Sequence, residues 1–176
     1  RQMCIRDRNK ELDLNFYIMN SHHTVAIGTW EGDKQQSIEY NSSIAVGIDC
    51  PRAKLRVSIL LDTIQEYQVR YIFSDEEISE AVNEAGLIIG ARGIAYEGVL
   101  QRKPVIVVGE YGFGGLVTPD TLHEQYNNYF RGKINGIKAE YFSLERLEEE
   151  IRRGFALTFQ ELQMMSNQTI RFLHNI

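Results

Sequence analysis

Three prolines, two cysteines and one tryptophan are few for 176 residues. Cys4 and Cys50 cannot build the disulfide framework of a small secreted domain, and two thiols fit a reducing cytoplasm. No apolar run reaches the roughly 18 residues that a membrane helix needs. Basic residues are also short, 19 Lys and Arg against 24 Asp and Glu, for a formal charge of −5. A general nucleic-acid binder would show a basic face, so that class is disfavoured. Whole motifs are missing as well. Without G-x-x-x-x-G-K-[ST] a P-loop ATPase is disfavoured, and without G-x-G-x-x-G a nicotinamide or flavin site is weakened. There is no G-x-S-x-G nucleophile elbow. No histidine–carboxylate group has metal-ligand spacing, because His22 and His23, adjacent in sequence, would point to opposite sides of a strand.

What is present fits one domain with a real core: 43% of the residues are hydrophobic and 24% charged. The first eight residues, RQMCIRDR, resemble a translated sequencing-adaptor scar and are set aside from fold reasoning. Arg1, Arg6 and Arg8 against Asp7 make that stretch +2, which leaves −7 for the remainder. On this expectation Cys4 is spurious and the chain is a fragment. Residues 9–43 give a weak signal, with short strands expected at Phe16–Met19 and Thr24–Gly28, and are expected to be a lead-in or the tail of a missing N-terminal domain.

From Ile44 the pattern sharpens, and 44–176 is expected to form one ligand-binding domain. Ile44–Ile48 predicts a buried strand ending at Asp49, Cys50 and Pro51. Val57, Leu60, Leu61, Ile64 and Tyr67 then share one helical face. Val69–Phe73 is the next strand, followed by a capping box of Ser74 and Glu77 and a helix through Ile78, Ala81, Val82 and Ala85. Leu87–Gly90 predicts a third strand, Ile94–Gln101 a helix, and Val105–Val108 a fourth strand. Thr118 suits an N-cap with Pro119 at the first helical position. Leu144, Leu147, Ile151 and Phe155 mark a helix, and Leu157–Leu173 one or two more. Strands alternating with helices predict an α/β, Rossmann-like fold, a parallel sheet with helices on both faces.

The stretch GLIIGARGIAYEGVLQRKPVIVVGEYGFGGLVTP carries the candidate chemistry. Gly90, Arg92 and Gly93 fall where the third strand hands over to its helix, and ligands of such sheets bind outside the carboxyl ends of the strands. Free amides and the helix dipole there favour a phosphate, and Arg92 can add a bidentate contact. Glu97, roughly one turn into the helix, is placed to accept the hydroxyls of a ribose. Gly109, Gly112, Gly114 and Gly115 are dense enough for a loop whose amides form an anion-binding nest, with Glu110 and Tyr111 at its mouth. Cys50, beside Pro51, is most simply a small buried hydrophobe.

The run ARGIAYEGVLQRKPVIVVGEYGFGGLVTPDTL resembles the C-terminal, donor-binding domain of GT-B-fold glycosyltransferases. Arg92, Glu97, Pro104–Val108 and the run Gly114-Gly115-Leu116-Val117-Thr118-Pro119 carry the likeness. It extends from about Ile44 to Phe155 and is specific over Ala85–Thr121. It implies a glycosyltransferase that binds a nucleoside-diphosphate sugar donor, of UDP type, and transfers the sugar to an unknown acceptor. Glu97 would meet the ribose, and Gly90–Gly93, Gly109–Gly115 and Thr118 would lie near the diphosphate or sugar. The likeness implies metal independence and no cofactor, in keeping with the missing D-x-D pair. It further implies a cytoplasmic enzyme that can associate peripherally with a membrane, and catalysis in a cleft whose other wall, with the catalytic base, is an N-terminal domain. The fragment is then expected to be inactive alone. Three positions depart from the pattern: Gly98 follows the glutamate in place of alanine, Gln101-Arg102-Lys103 precedes the proline, and Ile89 stands where retaining members carry a second glutamate. The last departure leaves inversion or retention open. Two alternatives share the fold: a nucleotide-sugar 2-epimerase, for which His123 is the nearby histidine, and a non-catalytic sugar-nucleotide-binding domain.

Overall fold

The structure, a computed structural model, describes residues 42–134 and 136–175. The strands expected at Phe16–Met19 and Thr24–Gly28, and the adaptor-like stretch, lie outside the described residues. The elements are β1 (Ser43–Gly47), α1 (Pro51–Thr63), β2 (Gln68–Tyr71), a 3₁₀ turn (Asp75–Glu77), α2 (Ile78–Glu84), β3 (Leu87–Gly90) and α3 (Gly93–Leu100). They continue with β4 (Val105–Gly109), β5 (Gly112–Leu116), α4 (Leu122–Asn127), α5 (Leu144–Phe155) and α6 (Phe159–His174). The five strands form one sheet in the order β2-β1-β3-β4-β5. The first four are parallel, and β5 runs antiparallel to β4. The fold is therefore α/β and Rossmann-like, with a mixed sheet where a parallel one was expected.

Side chains alternate across the strands, and each face has its own core. Ile44, Val46, Leu87, Ile89, Ile106 and Val108 face α1 and α5, meeting Val57, Leu61, Leu147 and Ile151. Ala45, Ile88, Val105 and Val107 face the opposite way, toward Ala81, Val82, Ile94, Val99 and Met165. Burial of each such aliphatic side chain contributes roughly 1.5–3 kcal/mol, which is why these short runs hold as strands despite their length. Two faces buried at once explain why β3 and β4 read as continuous apolar runs and not as alternation.

Local chemistry sets the helix ends. Pro51 opens α1, and Arg56 on that helix donates from Nε and Nη2 to the Phe142 carbonyl at 3.0 and 2.8 Å, fastening α1 to the segment before α5. The Glu77 carboxylate takes the amides of Phe73 and Ser74, each at 3.1 Å, so the predicted start at Ser74 holds, through a 3₁₀ turn before α2. Those bonds hold the exposed Glu77 carboxyl below its ordinary pKa. Thr158 and Glu161 form a reciprocal capping box on α6. Ser166 of α6 donates to the Leu100 carbonyl at 2.8 Å, tying α6 to the end of α3. Helix α1 stops at Thr63, so Ile64 and Tyr67 pack on the core from beyond its end. Among the described residues, no helix is long and apolar enough to cross a membrane.

The stretch after β4 departs from expectation most. In place of an open glycine loop, Glu110 and Tyr111 form a two-residue connection between β4 and β5, with Gly109 paired to Gly112. Val107 pairs with Gly115 and Val108 with Phe113, which leaves Gly114 as the extra residue of a bulge. Its carbonyl accepts Gln125 Nε2 at 2.8 Å. Thr118 Oγ1 accepts the Thr121 amide at 3.3 Å, a cap-type bond at the head of the turn that leads into α4. The Thr118 amide and hydroxyl engage Thr121 Oγ1, which also donates to the Leu116 carbonyl, and α4 begins only at Leu122. Glu150 of α5, buried, accepts the Leu116 amide at 3.0 Å and pairs with Arg146 and Arg153 at 3.1 and 3.2 Å.

Candidate functional site

The chain leaves β1 toward β2 on one side and returns to β3 on the other, so the order of the strands reverses between β1 and β3. At such a reversal the loops after the two strands diverge and leave a crevice at their carboxyl ends. Asp49 follows β1, Arg92 follows β3 and Glu110 follows β4, and their side chains converge there. Arg92 Nη2 lies 2.8 Å from Glu110 Oε2, and Arg92 Nη1 lies 3.6 Å from Asp49 Oδ2. Arg131 completes the group, its Nε 3.1 Å from Glu110 Oε1. The two guanidinium side chains are largely covered, at 16% and 13% exposure, whereas the Glu110 and Asp49 side chains are 41% and 56% exposed.

Backbone contacts hold these loops against one another. The Arg92 amide donates to the Phe130 carbonyl at 3.0 Å, and the Tyr111 amide donates to the Arg131 carbonyl at 3.0 Å. Arg131 Nη1 donates to the Tyr111 hydroxyl at 2.9 Å, and its guanidinium lies 5.5 and 5.7 Å from the ring centres of Tyr111 and Tyr129. Arg92 itself sits at φ 57°, ψ −124°. That backbone conformation is costly for a residue with a side chain, on the order of 1–3 kcal/mol, and persists because the surroundings over-determine it. Helix α3 begins at the next residue, Gly93, so its first amides and its partial positive charge face the same crevice.

Of the residues singled out from the sequence, Gly90, Arg92, Gly93 and Gly109 are brought together. A methyl added to Gly90 would collide with the Gly47 carbonyl, and one added to Gly109 would collide with the Arg131 carbonyl and Ala91. Glycine at both positions thus answers to close packing of the protein against itself. Gly112 pairs with Gly109 and stays at that end of the sheet, whereas Gly114, Gly115 and Thr118 are carried away from the crevice, because antiparallel β5 runs back along β4 until the Val117 amide bonds the Val105 carbonyl. The amides of Tyr111 and Phe113 go to Arg131 and Ile137 carbonyls, not to a nest. Gly112, at φ 119°, would place a methyl 2.5 Å from the Ile137 carbonyl oxygen.

Glu97, expected at the ribose, lies inside the protein. It is 1% exposed, and its Oε1 accepts Gln101 Nε2 at 2.6 Å, one turn further along α3 and away from Arg92. Gln101 Nε2 also reaches the Ser79 carbonyl of α2 at 3.4 Å. Glu97 Oε2 is buried without a hydrogen-bond partner. Burial pushes the Glu97 carboxyl pKa up, with the Gln101 hydrogen bond opposing in part. His123 is exposed on α4, its ring edge-on to Phe172 and its Nδ1 3.2 Å from Asn127 Nδ2. Cys50 precedes α1, partly buried against the core.

Asp49, Glu110 and Arg131 were less legible. Glu110 stood at the mouth of an expected loop, and Asp49 marked only the end of a strand. Arg131 lies 39 positions after Arg92 in a polar connection, and nothing local in the sequence links them. No family model, no curated protein and no solved structure matches this chain.

Proposed function

We propose that the chain is the donor-binding half of a GT-B glycosyltransferase and takes the diphosphate of a UDP-type nucleotide sugar at the crevice between β1 and β3. The observation that carries this reading is Arg92. A covered guanidinium, on a strained residue, stands at the strand-order reversal immediately before the first amides of α3. Those amides and the guanidinium are fixed donors for phosphate oxygens, and fixed donors stabilise a leaving diphosphate as its charge develops. The likeness of Ala85–Thr121 to GT-B donor domains supplies the reaction class: breakage of the bond between sugar and diphosphate, with transfer of the sugar to an acceptor. In this reading the diphosphate contact belongs to Arg92 and the start of α3, and Glu97 bonds Gln101 at the end of the same helix.

Calorimetric titration of the full chain with UDP, GDP and dTDP, with and without EDTA, tests this. UDP is expected to bind, and Arg92→Ala to weaken it about ten- to hundredfold, the loss of a charged hydrogen-bonding partner. Equal UDP affinity in the wild type and a folded Arg92→Ala variant would overturn the assignment.

A further inference from the structure

Glu110 stands as ion-pair partner between two arginines, its Oε2 2.8 Å from Arg92 Nη2 and its Oε1 3.1 Å from Arg131 Nε, the latter without the alignment of a hydrogen bond. Two guanidinium groups converging on a pair of oxygens is also how arginines hold a phosphate. The partners differ in their freedom. Arg92 and Arg131 are mostly covered, and Arg131 is held further by the Tyr111 hydroxyl and by the two tyrosine rings. Glu110 is at the tip of a two-residue turn and is 41% exposed, so its side chain can rotate into water without disturbing the sheet. Two arginines and two carboxylates, Asp49 included, leave the cluster formally neutral, and a phosphate meeting it would first encounter negative charge.

We infer that Glu110 is an internal stand-in for a phosphate group: its carboxylate occupies the anion position between Arg92 and Arg131 until a diphosphate displaces it. Arg131 is then the second cation of the site, brought in by the loop after α4. Glu110 sets the affinity, because any incoming anion must compete with a carboxylate already paired. This rests on the reading of the crevice as a diphosphate site and adds to it the residue that the ligand must move.

The test uses inorganic pyrophosphate as the probe and the full chain, with folding checked by circular dichroism. Glu110→Gln keeps the size of the side chain and removes the competing charge, and should tighten pyrophosphate about tenfold. The double variant Glu110→Gln with Arg131→Ala should lose that gain. Glu110→Asp, too short to bridge both arginines, should tighten pyrophosphate in the same direction and serves if Glu110→Gln does not fold. Pyrophosphate affinity unchanged or weakened in the folded variant would overturn the inference and make Glu110 a structural tie between loops. UDP titrated into the same proteins separates the two readings. A pyrophosphate gain with no UDP binding keeps the anion site and removes the donor assignment. Arg92-dependent UDP binding that ignores Glu110 keeps the donor assignment and removes the stand-in.

Discussion

Gly90→Ala should cost the protein about 2–4 kcal/mol, and the figure follows from where the added methyl must go. It would lie 2.5 Å from Ile94 Cγ2 and closer still to the Gly47 carbonyl oxygen, whereas ordinary contact begins at 3.4 Å. Ile94 cannot simply turn aside, because it already fills the space above Gly47, its Cδ1 2.8 Å from where a Gly47 methyl would stand. The backbone of β1 or β3 has to give by close to 1 Å, and the 3.3 Å bond from the Ala91 amide to the Gly47 carbonyl is the first to suffer. Overpacking of this kind costs roughly 1–3 kcal/mol and a lost backbone bond about 1 more. Since total stability of such a domain is on the order of 5–15 kcal/mol, the urea midpoint should fall by about 1–2 M. Gly136→Ala is the milder comparison: in an exposed turn its methyl would lie 3.2 Å from the Lys133 carbonyl oxygen and Cβ, a crowding of a few tenths of an ångström, and its midpoint should move by less than about 0.5 M. A wild-type midpoint for Gly90→Ala would refute the packing argument and return Gly90 to the role of admitting a ligand.

Two further substitutions probe buried carboxylates. For Glu97, burial raises the folded carboxyl pKa, so the folded state keeps its proton where the unfolded chain has lost it. The stabilising effect of the neutral form is complete below the ordinary glutamate range and is lost as pH rises through the raised folded value. Glu97→Gln should therefore gain about 1–2 kcal/mol at pH 7 and no advantage near pH 4 in urea titrations; parallel curves at both pH values would refute this. Glu150→Ala should lose about 2–3 kcal/mol, because it strands the Leu116 amide and two arginines, while Glu150→Gln, which keeps an acceptor, should lose visibly less. Denaturation midpoints that fail to rank wild type, Gln and Ala in that order would remove Glu150 from its place as the anchor of β5.

The sequence by itself determined β1 to β4 and most of the helices. Ile44–Ile48, Leu87–Gly90 and Val105–Val108 were legible because a strand buried on both faces must be apolar at every position. The helices showed through their spacing, and Ser74/Glu77 marked a start because the bonds that satisfy a first turn are local. It also placed Arg92 and Gly93 at a strand-to-helix junction. Only the tertiary structure decided what the glycines after β4 do. Gly109 and Gly112 answer to the Arg131 and Ile137 carbonyls packing on the hairpin, a contact between segments some twenty positions apart, and Gly114 to the Gln125 side chain. The two-residue Glu110-Tyr111 spacing was itself a hairpin signal, yet the run of glycines favoured a loop. The burial of Glu97 was hidden for a related reason: its position in the helix was local information, but its burial depended on α2 packing beside α3. Arg131 belongs wholly to the fold, since its pairing with Glu110, 21 positions earlier, is fixed by how loops meet at the end of a sheet and leaves no periodic trace in the chain.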